Sequence, residues 1–167
     1  ASSAGLTSDT SASFGISAGA ATTIRVETAA DGSGIVVPAQ NLASGASLTV
    51  YAVTRDASGN FVANASATWS LVSVTGGVVS GDLVPSGDAR SAVLTGHVAG
   101  TAQIRATSAS LTAVNSGTVT VVAGTPTQLA FSQQPSNGVA GAPISPAVTV
   151  QLRDAQGNNA AVAGTAV

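Results

Sequence analysis

The sequence has 167 residues with a formal net charge of -2, and only 7% of its residues are charged. Because an average soluble domain has about 25% charged residues, Ser, Thr, Asn and Gly must form most of the polar surface here. Five arginines, with no lysine, supply too little positive charge for a nucleic-acid interface. The absence of cysteine excludes disulfides and thiolate zinc sites.

Neither a membrane segment nor a disordered chain fits this composition. No stretch approaches the roughly 18 consecutive apolar residues of a membrane helix, and no signal-peptide pattern opens the sequence. Hydrophobic residues make up 44% of the chain, which is more than a disordered segment contains. We therefore expect a soluble, folded segment, with any export signal outside it.

Short runs of alternating apolar and polar residues, separated by Gly, Pro, Asn, Asp and Ser, predict an all-β fold. The predicted strands, in chain order, span 22–28, 34–39, 47–56, 66–74, 90–97, 101–108 and 117–124, with an irregular strand and loop over 78–88. We expect 66–74 to be the strand that returns from the 47–56 hairpin. We also expect a turn to join 90–97 to 101–108.

The alternation within these strands predicts a core. Val50 and Ala52 share one face of 47–56 with Thr54, whereas Tyr51 and Val53 point to the other face. We expect Trp69, the only tryptophan, and Ile104 to be in the core as well. We also expect Phe14 and Phe131 to be buried in their own units.

The chain repeats itself out of phase. Nine of the first 26 residues recur at 106–131, and RDASGN (55–60) returns as RDAQGN (153–158). In this motif, Gly59 and Gly157 supply a positive φ, and Asp56 is expected to accept hydrogen bonds from the turn backbone. A period near one hundred residues is the size of a domain.

The repeat divides the chain into three parts. We predict a complete sandwich over 20–124, the C-terminal strands of a preceding repeat over 1–19, and the N-terminal strands of a following repeat over 125–167. The linkers 18–21 and 123–126 are about four residues long, too short for free tumbling. Strands in the two flanks would need partners, either from a longer tandem chain or, by strand addition, from adjacent copies in a fibre.

The motifs ATWSL (67–71), AVLTGHVAGTAQIRAT (92–107) and TVTV (118–121) follow the GN turn in order. In this order they resemble the bacterial immunoglobulin-like repeats of invasin- and intimin-type surface proteins and tandem-repeat adhesins. The resemblance implies an immunoglobulin-like antiparallel β-sandwich in tandem repeats on the bacterial cell surface. It brings no catalytic residues.

Candidate catalytic residues are few. His97 is the only histidine, and no Ser or Asp has the spacing that a catalytic triad needs, so we expect a solvated turn residue. Asp82 and Asp88 flank one loop and could converge as a carboxylate pair, although turn stabilisation is the more common role. We predict no catalytic, cofactor-binding or metal-binding residue.

Calcium at a domain junction is the one cofactor alternative, with Glu27 and Asp31 as nearby carboxylates. The equivalent positions after the second junction are Ser132 and Ser136, which does not favour a repeated calcium site. Arg55 and Arg153 both precede the turn aspartate, which predicts a local salt bridge with that aspartate rather than a partner interface.

The main hypothesis is a non-enzymatic structural repeat of an extracellular bacterial filament, stalk or adhesin shaft, stacked end to end with neighbouring units. The alternative is an accessory module of a secreted enzyme or surface receptor that binds carbohydrate or another ligand. Tyr51 and Phe61 are the aromatic residues not assigned to a core, too few for a sugar-binding platform.

Overall fold

The computed structural model describes residues 4, 5, 7 and 9–160, and its regular structure is almost entirely β. The strands are β1 (Ala21–Glu27), β2 (Gln40–Ala43), β3 (Ser47–Asp56), β4 (Phe61–Asn64), β5 (Thr68–Gly76), β6 (Leu83–Pro85), β7 (Ser91–Thr95), β8 (Gly100–Thr107), β9 (Thr112–Val114), β10 (Val119–Val122), β11 (Gln128–Gln133) and β12 (Thr149–Arg153). A single turn of 3-10 helix, Ser80–Asp82, precedes β6.

Strands β1 to β10 form two sheets. The first has the order β6-β7-β3-β1-β9, and β4 pairs with β3 beyond the end of β7. The second has the order β2-β10-β8-β5. The pairs β1–β9 and β2–β10 are parallel, and the other pairs are antiparallel. These two sheets form an immunoglobulin-like β-sandwich, as predicted for the fold class.

The two sheets enclose one main hydrophobic core, and all of its residues lie between Ile24 and Val119. Val50, Ala52 and Ile104 have no exposed surface, which confirms these predictions. Full burial of each large aliphatic side chain contributes roughly 1.5–3 kcal/mol. Trp69 is half-buried against the core, and its Nε1–H donates to the Ala89 carbonyl at 2.9 Å. The core of the central sandwich is therefore self-contained.

The predicted pairing of 66–74 with 47–56 is wrong. The strand that returns from β3 is the short β4, because the 57–60 turn leads directly into it. β5 belongs to the other sheet, where it pairs with β8. The short segment 96–99 joins β7 to β8, which belong to different sheets, since β7 pairs with β3 and β8 pairs with β10.

The segment 34–39 is not a strand. Only Val36 forms a bridge, to Glu27, and β2 begins at Gln40, after Pro38, which has no N–H to donate to a sheet. β9 was not predicted from the sequence. Val53 lies outside the main core cluster, as expected for the opposite face of β3, yet it is also fully buried.

The flanking segments differ from each other. Residues 9–20 are exposed and contain no strand, so the strands predicted within 1–19 are not present in the described residues of that range. Their counterparts in the central sandwich, β9 and β10, pair with β1, β2 and β8, and the described residues before Gly19 contain no equivalent strands. Phe14 is 82% exposed for the same reason, contrary to prediction.

The C-terminal segment forms a hairpin of β11 and β12 that pairs as β1 and β3 do. Leu129 lies opposite Leu152 and Phe131 opposite Val150, in the register that Ile24 and Val26 have on β3. Phe131 was predicted to be buried, but it is 55% exposed because no second sheet covers this hairpin in the described residues. Residues 161–167 lie outside the described range.

Candidate functional site

The predicted catalytic candidates stabilise loops. His97 Nδ1 lies 2.7 Å from Asp82 Oδ1, so His97 is not simply a solvated turn residue. Asp82 is buried, and its other oxygen accepts the Val79 N–H. Asp88 accepts hydrogen bonds from Ser86 Oγ and the Arg90 N–H, and the Ser86 hydroxyl is the main cause that lowers the pKa of Asp88. Asp82 and Asp88 therefore stabilise two separate loops through their own hydrogen bonds.

The calcium candidates are already engaged in other contacts. Glu27 is buried and binds the Arg55 guanidinium through both carboxylate oxygens, at 2.6 and 2.7 Å. Asp31 accepts hydrogen bonds from the Ser33 hydroxyl and N–H. Within residues 4, 5, 7 and 9–160, no group of three His, Asp or Glu side chains could hold a metal ion.

Arg55 does not bind the adjacent turn aspartate, so the predicted local salt bridge is wrong. Its guanidinium reaches across to Glu27 on β1 and also donates to the carbonyl oxygens of Gly32, Gly34 and Gly59. Hydrogen bonding to Glu27 is the main cause that raises the Arg55 pKa. Arg153, in the equivalent position, is exposed and forms no salt bridge with any described residue.

The aspartates of the two repeated turns instead bind backbone N–H groups. Asp56 Oδ1 accepts the N–H groups of Ser58 and Asn60, and Asp56 Oδ2 accepts the Asn60 side-chain amide and, at 2.9 Å, the N–H of linker residue Gly19. Hydrogen bonds from Asn60 and then from Gly19 lower the pKa of Asp56 to about 2. Gly59 closes the turn with a φ of 85°.

The 154–158 turn repeats this arrangement atom for atom. Asp154 accepts the N–H groups of Gln156 and Asn158, the Asn158 side-chain amide and, at 2.9 Å, the N–H of linker residue Gly124. Burial alone would raise the pKa of Asp154, but these hydrogen bonds, with that of the Asn158 side chain the largest, lower it to about 2. Each turn thus binds the backbone of the linker that precedes its own β-hairpin.

The 154–158 turn also contacts the end of the central sandwich. Asn158 Nδ2 lies 2.9 Å from Ser44 Oγ and 2.8 Å from the His97 carbonyl oxygen, to both of which it donates. Asn158 Oδ1 accepts the Ala99 N–H at 2.9 Å. One carboxamide therefore joins the hairpin to two loops of the sandwich, and Asn158 is only 7% exposed.

Neighbouring residues complete this contact. Ser44 Oγ lies 2.7 Å from the His97 carbonyl oxygen and 3.2 Å from Gln156 Oε1, and its one hydrogen can donate to either acceptor. A Cβ atom at Gly124 would lie 2.9 Å from the Ser44 carbonyl oxygen, so only glycine lets the linker pass this close. The His97–Asp82 pair holds the loop whose carbonyl Asn158 binds.

We call this set of contacts the junction: Ser44, His97, Ala99 and Gly124 of the central sandwich with Asp154, Gln156 and Asn158 of the hairpin. The turn and the linker were each predicted from the sequence, but the contact between them was not. The sequence does indicate that linker and turn belong together, because an Ala-Gly linker precedes each copy of the RDxxGN motif. No sequence pattern indicates the contacts that Asn158 makes with the sandwich, since two of its partners are backbone groups.

The structure offers little for the alternative of a ligand-binding module. The exposed aromatic side chains of Phe14, Phe61 and Phe131 belong to three separate segments of the described chain.

The part of the chain that the structure describes contains no helix of the length and hydrophobicity that a membrane span requires.

Comparisons with known proteins give a distant structural similarity and no match to a protein family. No protein-family model and no curated protein matches the sequence. Among solved structures, the chain is similar to FdeC, an Escherichia coli adhesin, with 21% identity and a TM-score of 0.44. The alignment covers 83% of this chain and 42% of the FdeC chain, so this chain spans less than half of that structure. A similarity at this level assigns no function.

Proposed function

We propose that this chain is a non-enzymatic structural repeat of an extracellular bacterial filament, stalk or adhesin shaft. Its sandwiches stack end to end, and the junction fixes each unit against the next. One observation carries the proposal: the 154–158 turn binds both the linker glycine and two loops at the end of the sandwich before it.

The hydrogen bonds explain how so small a contact could align two units. A four-residue linker limits the distance between neighbours and prevents free tumbling, but it does not by itself fix one relative orientation. The bond from Gly124 to Asp154 fixes the end of the linker, and the bonds of Asn158 attach the turn at further points. Attachment at separate points restricts rotation as well as distance, which is the property that a shaft needs.

The surface composition supports an extracellular setting. With no cysteine or methionine, the chain lacks the side chains most readily damaged by oxidation. Its polar surface depends on hydroxyl and amide groups rather than on charge, so contacts between units should vary little with salt concentration. The resemblance to bacterial immunoglobulin-like repeats agrees with this setting.

Backbone 15N relaxation of the 167-residue chain tests the proposal. In the unmodified chain, amides of β12 and β3 should report one shared rotational correlation time. In Asp154→Asn, Oδ1 can still accept the two turn N–H groups, but an NH2 group replaces the oxygen that binds Gly124. The β11–β12 hairpin should then show additional nanosecond motion.

Asp56→Asn is the matched control, because it makes the same change in the same turn but breaks the bond to Gly19. It should leave the motion of β11 and β12 unchanged. Independent tumbling of the hairpin in the unmodified chain would refute a rigid junction. Antibody labelling of intact cells of the producing bacterium tests surface exposure separately.

A further inference from the structure

The 56–60 turn has the same internal structure as the 154–158 turn, but its outer side is exposed. Asn60 donates to Asp56 Oδ2 at 3.0 Å, as Asn158 donates to Asp154 Oδ2 at 2.9 Å. Asn158 is 7% exposed and therefore buried, whereas Asn60 is exposed to solvent. Among the described residues, Asn60 Oδ1 accepts no hydrogen bond and Nδ2 donates only to Asp56.

The linker before this turn is also in its bound position. The Gly19 N–H donates to Asp56 Oδ2 at 2.9 Å, the distance found between Gly124 and Asp154. The turn and linker are thus arranged as they are at the junction, although no sandwich lies beyond them in the described residues. Residues 9–18 before the linker are exposed and contain no strand.

The junction shows which chemical groups fit this arrangement. Asn158 binds one backbone donor, the Ala99 N–H, and two acceptors, the His97 carbonyl and Ser44 Oγ. All three groups are uncharged, and all come from the loops at one end of the sandwich. Asn60 presents the same carboxamide in the same turn.

We propose that the 56–60 turn, together with Gly19, is a docking surface for a preceding copy of this sandwich. Asn60 binds the His97 carbonyl, Ser44 Oγ and the Ala99 N–H of that copy. This inference rests on the proposed function, and it adds the partner and the atoms that bind it. Because Ser58 replaces Gln156 and has a shorter side chain, the contact between Gln156 and Ser44 is lost in this second interface.

The test joins one additional copy of residues 20–124, whose core is self-contained, directly to residues 20–167, so that the added copy takes the place of residues 1–19. The first copy then ends in Ala-Gly directly before Ala20 and Ala21, which recreates the 18–21 linker. Hydrogen exchange of the Ala99 amide is measured in each copy. Ala99 of the first copy should be as protected as Ala99 of the second copy, which Asn158 binds.

Asn60→Ala in the second copy should accelerate exchange of the first-copy Ala99 amide by about tenfold or more, while second-copy Ala99 is unchanged. The matched control is Asn60→Ala in the first copy, which has no sandwich before it. This control loses the same bond to Asp56 and carries the same risk of misfolding. It should leave both Ala99 amides as they were.

If Asn60→Ala in the second copy leaves the first-copy Ala99 amide unchanged, the docking surface is refuted. Asp154→Asn in the same extended protein then separates the two proposals. If that variant still loosens the hairpin, the proposed function stands and only the upstream docking surface fails. If it has no effect either, both proposals fail.

Discussion

Replacing Asn158 with alanine should detach the C-terminal hairpin from the central sandwich. The side chain accepts the Ala99 N–H, and its two Nδ2–H groups are shared among Ser44 Oγ, the His97 carbonyl and, within its own turn, Asp154 Oδ2. Each hydrogen bond contributes a net 0.5 to 1.5 kcal/mol, so loss of the equivalent of two bonds across the junction should cost about 1–3 kcal/mol. Asn60→Ala is the control, because it loses only the bond to Asp56.

Hydrogen exchange within the β11–β12 hairpin should report the loss of these bonds. A two-stranded hairpin is at best marginally stable in water, so a detached hairpin should open. The amides of Thr127 and Ala160 donate to carbonyl oxygens of β12, which makes them suitable probes for native-state hydrogen exchange. At a factor of ten per 1.4 kcal/mol, their exchange should accelerate by roughly five- to a hundredfold.

Asn60→Ala should leave exchange at Thr127 and Ala160 unchanged. If Asn158→Ala also leaves it unchanged, the bonds of Asn158 do not hold the hairpin, and the reasoning from the junction geometry is wrong. If both variants accelerate exchange equally, the effect comes from weakening the turn rather than from the contact with the sandwich.

Three further predictions concern the stability of the fold, each measured by urea unfolding. Ile104→Ala should lower the free energy of unfolding by about 2–5 kcal/mol, and a loss below about 1 kcal/mol would contradict its place in the core. Glu27→Ala should cost about 3–5 kcal/mol because it leaves the Arg55 charge buried without its partner, and adding Arg55→Ala should recover part of this loss. Asp56 and Asp154 have folded pKa values of about 2 against about 3.9 when unfolded, so their contribution is complete above about pH 4 and is lost as the pH falls towards 2. Asn variants at these positions should show a weaker acid dependence, and an unchanged dependence would refute this assignment.

The sequence was most informative where local pattern alone determines structure. β3 has the predicted bounds, 47–56, because a run rich in β-branched and aromatic residues leads into an Asp-x-x-Gly-Asn turn. Which strands pair depends on contacts between distant segments. Alternation of Trp69 with Leu71 therefore identified the buried face of β5 but not its sheet.

Burial of aromatic residues failed as a prediction in the flanks. Phe14 and Phe131 have the pattern of core residues, but burial requires a second sheet, and the described residues provide none there. The junction was only partly predictable for a related reason. The motif identifies Asp154 as a turn residue, whereas its bond to Gly124 depends on where the linker passes in three dimensions.

The central claim is that the junction makes successive units a semi-rigid rod. Small-angle X-ray scattering of chains containing two, four and eight copies of residues 20–124, joined through the Ala-Gly linker, tests it most directly. A rod predicts that the maximum dimension rises in proportion to the number of copies. Growth with about the square root of that number, as in a flexibly linked chain, would contradict the account.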